Sequence, residues 1–259
     1  MESIAVVTGG AGGIGLAIAG KLAQSHEAVY IADLHPERLS RSQEYKSLVS
    51  EGRIRAYHCD VTQSGDVMQM ASFISSKGKI RTLINNAGAT DCGSLQELTS
   101  ESWRREISLN LDAAFVCFHA FAEKLKLNRG VVVNITSVNG FSVYGNPAYS
   151  AAKAGLIHFT KSIAVEYGKF GVRANSVAPG TVRTSIWNVK IQENPKLFDD
   201  ILQFYPLGRI VNPQDVADAV MFLVSDQAAA ITGVCLPVDC GLTAGQAPMA
   251  RTLTQSDSY

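Results

Sequence analysis

The chain has 259 residues, of which 46% are hydrophobic and 18% charged, so it can bury a sizeable core. Basic and acidic residues both number 23, which gives a formal net charge of zero and argues against a broad surface for nucleic acid or an anionic membrane. Polar residues interrupt every long apolar run, and the first periodic segment begins at Ile4. We therefore expect neither a membrane span nor a signal peptide.

The cysteines and histidines are scattered along the chain. The number of cysteines is odd and no C-x-x-C occurs; they are Cys59, Cys92, Cys117, Cys235 and Cys240. This pattern predicts free thiols in a reducing compartment, and thus a cytoplasmic protein, rather than a disulfide framework. The five histidines show no ligand spacing, so we expect no metal site.

A glycine-rich turn follows the first predicted strand, residues 4–8, and helical periodicity begins again at Leu16. Strand, glycine turn and helix form the context of a dinucleotide site, because glycines let the backbone approach a pyrophosphate at the helix N-terminus. Two spacings fit, which are G-x-G-x-x-G at Gly10, Gly12 and Gly15, and G-x-x-x-G-x-G at Gly9, Gly13 and Gly15. The glycines alone do not choose between them.

The second predicted strand, residues 28–33, ends in an acid. Asp33 lies 18 residues after Gly15, where a carboxylate can accept the ribose hydroxyls of NAD and would repel the 2′-phosphate of NADP. No Arg or Lys occurs in the glycine turn or immediately after Asp33. The alternative is an ordinary turn aspartate at the end of a strand. This position predicts NAD as the cofactor.

Two further strands are predicted before the middle of the chain. A polar-faced helix over about 36–50 leads to a strand at 54–58, and Asp60 follows at a position suited either to an adenine amino group or to capping a helix near Ser64. Strand 82–84 ends in Asn85-Asn86-Ala87-Gly88, whose small residues suit a backbone that passes close to a cofactor.

A long helix is predicted from about residue 101 to residue 127. Its stretch 111–125 is apolar nearly all round, so one side can face the sheet and the other needs a partner. We interpret that second side as a subunit interface. Asn110 lies within this helix and has several hydrogen bonds to place.

Tyr149 and Lys153 follow a buried strand, 131–136, and its polar end at Ser137. Their spacing of four puts both side chains on one helix face, and Pro147 suits the start of that helix. A neighbouring ammonium stabilises a phenolate, so the pair is suited to moving a proton. Chance supplies such a spacing easily, so the rest of the chain must decide its meaning.

The remaining segments complete an alternation of strand and helix. A strand at 172–177, a helix from about Pro213 and a strand at 234–238 surround an insertion, 183–207, that we interpret as a substrate flap. The tail from residue 244 is expected on the surface or on a neighbouring subunit. Because the alternation is unbroken, residues 1–259 predict one α/β domain, a Rossmann-type doubly wound parallel sheet with helices on both faces.

Together these residues resemble the single-domain short-chain dehydrogenases/reductases over about residues 3–243. The matching motifs, in order, are Thr8-Gly9 with Gly13-Ile14-Gly15, Asp60-Val61, Asn85-Asn86-Ala87-Gly88, Asn110, Ser137, Tyr149 with Lys153, and Pro179-Gly180. The resemblance selects the second glycine spacing. It implies a catalytic tetrad of Asn110, Ser137, Tyr149 and Lys153, and a homotetramer built through the two long helices.

The resemblance also implies where the ligands bind. The expected cofactor contacts are Gly9, Gly13, Ile14, Gly15, Asp33, Asp60, Val61, Asn86, Ala87, Gly88, Tyr149, Lys153, Pro179, Gly180, Val182 and Thr184. The expected substrate contacts are Ser137, Asn139, Phe141, Tyr144, Tyr149 and Trp187. Gly12 stands where many NADP-using members carry a basic residue, which favours NAD, and Cys240 replaces a glycine often found near the last strand.

The implied function is hydride transfer between a secondary alcohol or ketone and NAD. An NADP-linked 3-oxoacyl reductase is the alternative among enzymes, and Asp33 argues against it. A non-catalytic dinucleotide sensor is the alternative outside enzymes, but a sensor has no need of the tetrad. Sugars, polyols, cyclic alcohols and hydroxyacyl groups all remain open as substrates.

Overall fold

The computed structural model describes residues 2–41, 45–256 and 258. In this part of the chain, one sheet contains strands in the order β3-β2-β1-β4-β5-β6-β7, and every pairing is parallel. The strands are β1 (Glu2–Thr8), β2 (Ala28–Asp33), β3 (Ile54–His58), β4 (Gly78–Asn85), β5 (Val131–Ile135), β6 (Arg173–Pro179) and β7 (Cys235–Val238). The predicted parallel, doubly wound sheet is confirmed.

Helices connect the strands on both faces of the sheet. They are α1 (Gly13–Leu22), α2 (Lys46–Ser50), α3 (Ser64–Ser75), α4 (Ser100–Ile107), α5 (Ala113–Asn128), α6 (Pro147–Tyr167), α7 (Asn188–Glu193), α8 (Leu197–Leu202), α9 (Pro213–Val224) and α10 (Ala247–Thr254). The chain moves outward from β1 to β3 and then crosses back to β4, so the strand order reverses between β1 and β4. At such a switch point the carboxyl ends of the strands leave a crevice for a ligand.

The core lies in two layers, because successive side chains of a strand point to opposite faces of the sheet. Along β1, Ala5 and Val7 join the layer beneath α1 and α9, whereas Ile4 and Val6 join the layer beneath α3, α5 and α6. All four are fully buried. Strands buried on both faces are mostly apolar, which is why β1, β2 and β5 form nearly continuous apolar runs in the sequence.

Three predicted segments differ in detail. In place of the helix expected over 36–50, the structure has a 3-10 turn at Pro36–Arg41 and the short α2. Residues 42–44 lie outside the described part. The serines of the segment 36–50 are weak helix formers. The long helix is interrupted by a π turn at Ser108–Asp112 between α4 and α5. The tail from residue 244, for which no secondary structure was predicted, contains α10.

His26 is a buried histidine at the edge of the sheet remote from the crevice. Its side chain lies with Nε2 3.0 Å from Thr82 Oγ1 and Nδ1 3.0 Å from Ser25 Oγ. Burial lowers the pKa of His26 below its ordinary value of 6.5, and this outweighs the hydrogen bond to the Leu22 carbonyl, which acts in the opposite direction. The folded protein therefore holds this imidazole neutral at pH values where the unfolded chain protonates it.

We expect the free energy of unfolding to fall as the pH drops below about 6.5, because the unfolded state then binds a proton that His26 in the folded state refuses. Above that pH this contribution to stability is fully present. His26→Gln should flatten this part of the profile in urea denaturation between about pH 5 and 7.5. The exposed His58 on β3 offers the matched control, His58→Gln. Equal acid dependence in wild type and His26→Gln would contradict the assignment.

Candidate active site

The glycine turn joins β1 to α1 in a conformation that requires glycine. Gly9 and Gly13 have φ angles of 62° and 51°, in the left-handed region. A Cβ on Gly15 would lie 2.5 Å from Gly9 O and 2.6 Å from Asn86 Nδ2, whereas one on Gly12 would meet nothing within 4 Å. The geometry thus favours the spacing through Gly9, Gly13 and Gly15. The free N–H groups at the start of α1 suit a pyrophosphate.

Thr8 ties the carboxyl ends of β1 and β4 together at the switch point. Its Oγ1 accepts hydrogen bonds from the backbone N–H groups of Asn86 and Ala87, both at 3.1 Å. Asn86 Nδ2 in turn donates to Thr8 O at 3.0 Å and to Gly9 O at 2.8 Å. Thr8 belongs to the matched Thr8-Gly9 motif but is not among the expected cofactor contacts. Its position at the end of a strand, directly before the glycine turn, was the signal in the sequence for this role. These bonds hold the floor of the crevice.

Asp33 lies at the end of β2 beside the glycine turn. Its Oδ2 accepts a hydrogen bond from Ala11 N at 3.0 Å, and its Oδ1 accepts one from His35 N at 2.8 Å. The carboxylate is therefore held in one orientation by the two backbone segments that flank the predicted ribose position. This arrangement fits a group that accepts hydrogen bonds from ribose hydroxyls.

Asp60 does not cap α3. The N-terminal cap of α3 is Gln63, which makes no side-chain capping bond. Asp60 Oδ1 instead accepts from Thr62 N at 2.9 Å and from Thr62 Oγ1 at 2.7 Å, which closes a turn after β3. Val61 is buried in this turn. The helix-cap alternative is wrong, and the adenine contact stays a prediction.

Tyr149, Ser137 and Lys153 lie together at the carboxyl end of β5. Helix α6 begins at Pro147, so Tyr149 falls in its first turn and Lys153 in its second. The Ser137 side chain interacts with the Tyr149 hydroxyl and acts to lower its pKa, and Lys153 Nζ lies 5.4 Å from the centre of the tyrosine ring. Lys153 Nζ donates to Ile135 O at 2.9 Å. The structure thus brings three of the four predicted tetrad residues close together.

Burial dominates the charges of this group. It raises the pKa of Tyr149 above 10, and the hydrogen bond from Ser137 opposes that effect. Burial also lowers the pKa of Lys153 to about 8. The pKa of Tyr149 is thus raised, contrary to the lowering expected from the neighbouring Lys153, because burial outweighs the other contributions. Among the protein groups alone, the tyrosine stays protonated near neutral pH, whereas the Lys153 amine can give up its proton there.

Asn110 occupies the π turn between α4 and α5. Its Nδ2 donates to Ala89 O at 2.7 Å and to Glu106 O at 2.9 Å, while its buried Oδ1 has no hydrogen-bond partner in the described part of the chain. A Cβ on Gly88 would lie 2.7 Å from Asn110 Oδ1 and 3.3 Å from Lys153 Nζ. Asn110 therefore presents a free acceptor across Gly88 from the ammonium, a place suited to a bridging water.

The side chain of Asn139 is hydrogen-bonded to neighbouring residues of the protein. Its Oδ1 accepts from Ser137 Oγ at 3.2 Å, and its Nδ2 donates to Gly145 O at 3.0 Å and to Ser150 Oγ at 3.2 Å. These contacts orient the Ser137 hydroxyl. Phe141 is 43% exposed. The direct substrate contact expected of Asn139 stays a prediction.

The segment after β6 brings the base of the flap onto the glycine turn. Pro179 ends β6, and Gly180 N donates to β7 at 3.0 Å. Val182 is buried and pairs with the chain just before α9. The Thr184 methyl group lies 3.2 Å from the position that a Cβ of Gly13 would occupy. Of these four predicted cofactor contacts, Thr184 lies against the glycine turn, and the cofactor contacts of the other three stay predictions.

The flap itself is helical. It contains a 3-10 turn at Ser185–Trp187, followed by α7 and α8. Trp187 packs edge-on against Phe198 with ring centres 6.0 Å apart. Tyr144, on the opposite loop, is 39% exposed, and burial raises its pKa with further contributions from Asp239 and Tyr205.

Three further features concern the cysteines, possible metal ligands and possible membrane-spanning helices. All five cysteines are free. No group of three or more His, Cys, Asp or Glu side chains in residues 2–41, 45–256 and 258 is arranged to hold a metal ion. In the same part of the chain, no helix combines the length and apolar content needed to span a membrane.

Comparison with known proteins places the chain in a family. The family model described as Enoyl-(Acyl carrier protein) reductase, adh_short_C2, matches residues 9–243. A 3-oxoacyl-[acyl-carrier-protein] reductase of Synechocystis is 38% identical over 92% of this chain and 96% of the relative. Meso-2,3-butanediol dehydrogenase of Serratia marcescens is 34% identical over 94% of this chain and 95% of the relative.

A solved structure agrees with these matches. A short-chain dehydrogenase/reductase family oxidoreductase from Burkholderia thailandensis superposes with a TM-score of 0.92 at 37% identity, covering 100% of both chains. The chain belongs to the short-chain dehydrogenase/reductase family. It is therefore an oxidoreductase of a family that binds a nicotinamide dinucleotide.

Proposed function

We propose that the chain transfers a hydride between a secondary alcohol or ketone and NAD. The observation that supports this most strongly is the grouping of Tyr149, Ser137 and Lys153 at the carboxyl end of β5, beside a crevice lined by the glycine turn. The bound dinucleotide would supply the hydride acceptor or donor. The chain's own residues then have to bind the substrate oxygen and move one proton.

Tyr149 is the group that exchanges a proton with the substrate. As the phenolate it takes the proton from the substrate hydroxyl when the alcohol is oxidised, and as the phenol it returns that proton when a ketone is reduced. Ser137 Oγ donates its one hydrogen to Asn139 Oδ1 in this structure, so it would turn that hydrogen to the reacting oxygen when substrate binds and stabilise the charge that develops there.

Lys153 and Asn110 are the route by which the proton leaves. Lys153 has a pKa of about 8, so it can accept or give a proton near neutral pH. The unpartnered Oδ1 of Asn110 beyond Gly88 can hold a water that links Lys153 to the outside. We propose these four residues as the catalytic set.

The preference for NAD rests on Asp33. Its carboxylate is anchored by Ala11 N and His35 N at the position expected for the ribose. A phosphate on that ribose would meet a fixed negative charge. The second candidate function, an NADP-linked 3-oxoacyl reductase, is favoured by the 38% identity to the Synechocystis relative of that name.

The opening of the crevice supports a neutral, partly apolar substrate. Phe141 and Tyr144 are 43% and 39% exposed there, and Val143 is 89% exposed. No basic side chain is needed to recognise a neutral alcohol or ketone. We propose Ser137, Asn139, Phe141, Tyr144, Tyr149 and Trp187 as the substrate contacts.

A homotetramer in the cytoplasm is the proposed setting. Phe115 on α5 is 52% exposed and Val165 on α6 is 81% exposed, so both long helices carry apolar side chains that a second copy could cover. The five free thiols suit a reducing compartment.

A panel of neutral alcohols and ketones with NAD or NADP tests the proposal. Each pair is followed by the absorbance of the reduced cofactor, with polyols, cyclic alcohols and 3-oxoacyl thioesters as separate sets. We expect turnover with NAD and a neutral secondary alcohol. Turnover confined to NADP and 3-oxoacyl thioesters would favour the second candidate. Cofactor binding without turnover of any set would favour the non-catalytic sensor.

A further inference from the structure

Glu106 is a buried acid one helical turn before Asn110. Glu106 is only 3% exposed and lies on the inner face of α4. Burying a carboxylate is costly unless hydrogen bonds replace its water. The structure supplies three, from Asp91 N and Cys92 N to Oε1 and from Thr90 Oγ1 to Oε2, all at 3.1 Å. Every one comes from the loop that follows Gly88.

The same residue also touches Asn110 directly. The Glu106 carbonyl accepts a hydrogen bond from Asn110 Nδ2 at 2.9 Å, and the second acceptor of that amide, at 2.7 Å, is the carbonyl of Ala89. Ala89 is the residue just before the segment that the carboxylate holds. Glu106 thus fixes both carbonyls between which the Asn110 amide is suspended, one through its backbone and the other through its side chain.

This arrangement decides where Asn110 Oδ1 points. With Nδ2 committed to two carbonyls, the amide cannot turn over without losing both bonds. Its oxygen is then left free on the side of Gly88 and Lys153. The π turn alone would place the Asn110 side chain near Lys153 without fixing which end of the amide points there. The oxygen and the NH₂ group of an amide have similar shapes and differ in their hydrogen bonding.

We propose that Glu106 is a positioning residue for proton transfer, which holds Asn110 Oδ1 toward Lys153 by clamping the loop 89–92. The proposal rests on the proposed function, because it assigns Glu106 a part in the same proton route. Glu106 touches neither substrate nor cofactor in this arrangement and acts only through Asn110 and the loop.

Steady-state kinetics of four variants test the positioning role. Glu106→Ala should lower kcat about 10–100-fold, as a misplaced catalytic group does, with a much smaller change in KM. Glu106→Gln keeps an oxygen that accepts both N–H groups and should recover most of kcat. Thr90→Val, which removes one clamp bond, should fall between them. Glu101→Ala, an exposed acid on the same helix, is the matched control and should leave kcat unchanged.

A double-mutant cycle with Asn110→Ala separates positioning from general stability. If Glu106 acts through Asn110, adding Glu106→Ala to Asn110→Ala should cost little further kcat. Additive losses in the cycle would overturn the proposal. So would an equal loss in Glu106→Gln and Glu106→Ala. If Glu106→Ala fails to fold, the cycle is run with Thr90→Val, and the same two criteria apply to it.

A spectroscopic readout does not depend on turnover. The Asn110 side-chain amide should exchange its protons slowly in ¹⁵N NMR spectra, because both N–H groups are bonded and buried. Slow exchange should be lost in Glu106→Ala and kept in Glu106→Gln and Glu101→Ala. If the wild type turns over no alcohol or ketone but shows this pattern, the proposed function fails while the clamp stands. Fast exchange in the wild type would overturn the clamp itself.

Discussion

Tyr149→Phe should remove turnover while leaving binding of the dinucleotide nearly intact. The substitution deletes one hydroxyl, the group that interacts with Ser137 and that we propose exchanges the proton with the substrate. Loss of a general acid or base typically costs about 10²–10⁴-fold in rate. The ring remains, so its contact with Lys153 and the packing of the first turn of α6 are preserved. The measurement is kcat with the best substrate of the panel, beside cofactor titration by fluorescence.

Tyr57→Phe is the matched control for this variant. Tyr57 lies on the edge strand β3, and its ring packs against Phe73 of α3, with ring centres 5.4 Å apart. It should keep the wild-type kcat. Retained turnover in Tyr149→Phe would refute the assignment of the proton to this residue, and with it the catalytic set.

Asp33→Ala should weaken binding of NAD and relax the rejection of NADP. The carboxylate is the predicted acceptor for the ribose hydroxyls, and hydrogen bonds to charged groups contribute about 1.5–3 kcal/mol, or roughly 10–150-fold in affinity. The same carboxylate anchors Ala11 N and His35 N, so the alanine variant also loosens the glycine turn. We expect the dissociation constant for NAD to rise and that for NADP to fall or stay constant.

Asp33→Asn separates charge from anchoring. Asparagine keeps an oxygen that can accept one of the two backbone bonds and removes the negative charge, so rejection of NADP should relax with less disturbance of the turn. Equilibrium titrations of both cofactors with wild type and the two variants give the comparison. A wild type that already prefers NADP would show that the proposed cofactor is wrong.

Strands such as β1, β2 and β5 were predictable from the residues because they are buried on both faces along most of their length, whereas β3 and β7, at the two edges of the sheet, are partly exposed. In residues 131–135 only Asn134 is polar, so the run indicates a strand inside the sheet. The helix at 36–50 was predicted wrongly, since periodicity does not register how weakly serine supports a helix in that segment. The π turn at residues 108–112 was equally invisible, because it changes the hydrogen-bond pattern and not the residue types.

The residues proposed for the site could be chosen from the sequence, whereas their geometry and pKa values could not. The spacing of Tyr149 and Lys153 indicates a shared helix face, and Ser137 follows a strand end, so their approach at one edge of the sheet could be expected. The pKa of Tyr149 could not, because burial of the hydroxyl depends on everything packed around it and outweighs the ammonium that the sequence places nearby.

The sequence by itself determined the parallel α/β fold, the glycine turn with its acid at Asp33, and the residues of the proposed catalytic set. These follow from local patterns, in which neighbours along the chain define the chemistry. Only the tertiary structure decided what Asn110 and Glu106 do, because their partners come from the loop after β4, at 89–92. A free Oδ1 facing Lys153 is a property of three chain segments meeting, and no spacing within one segment encodes it.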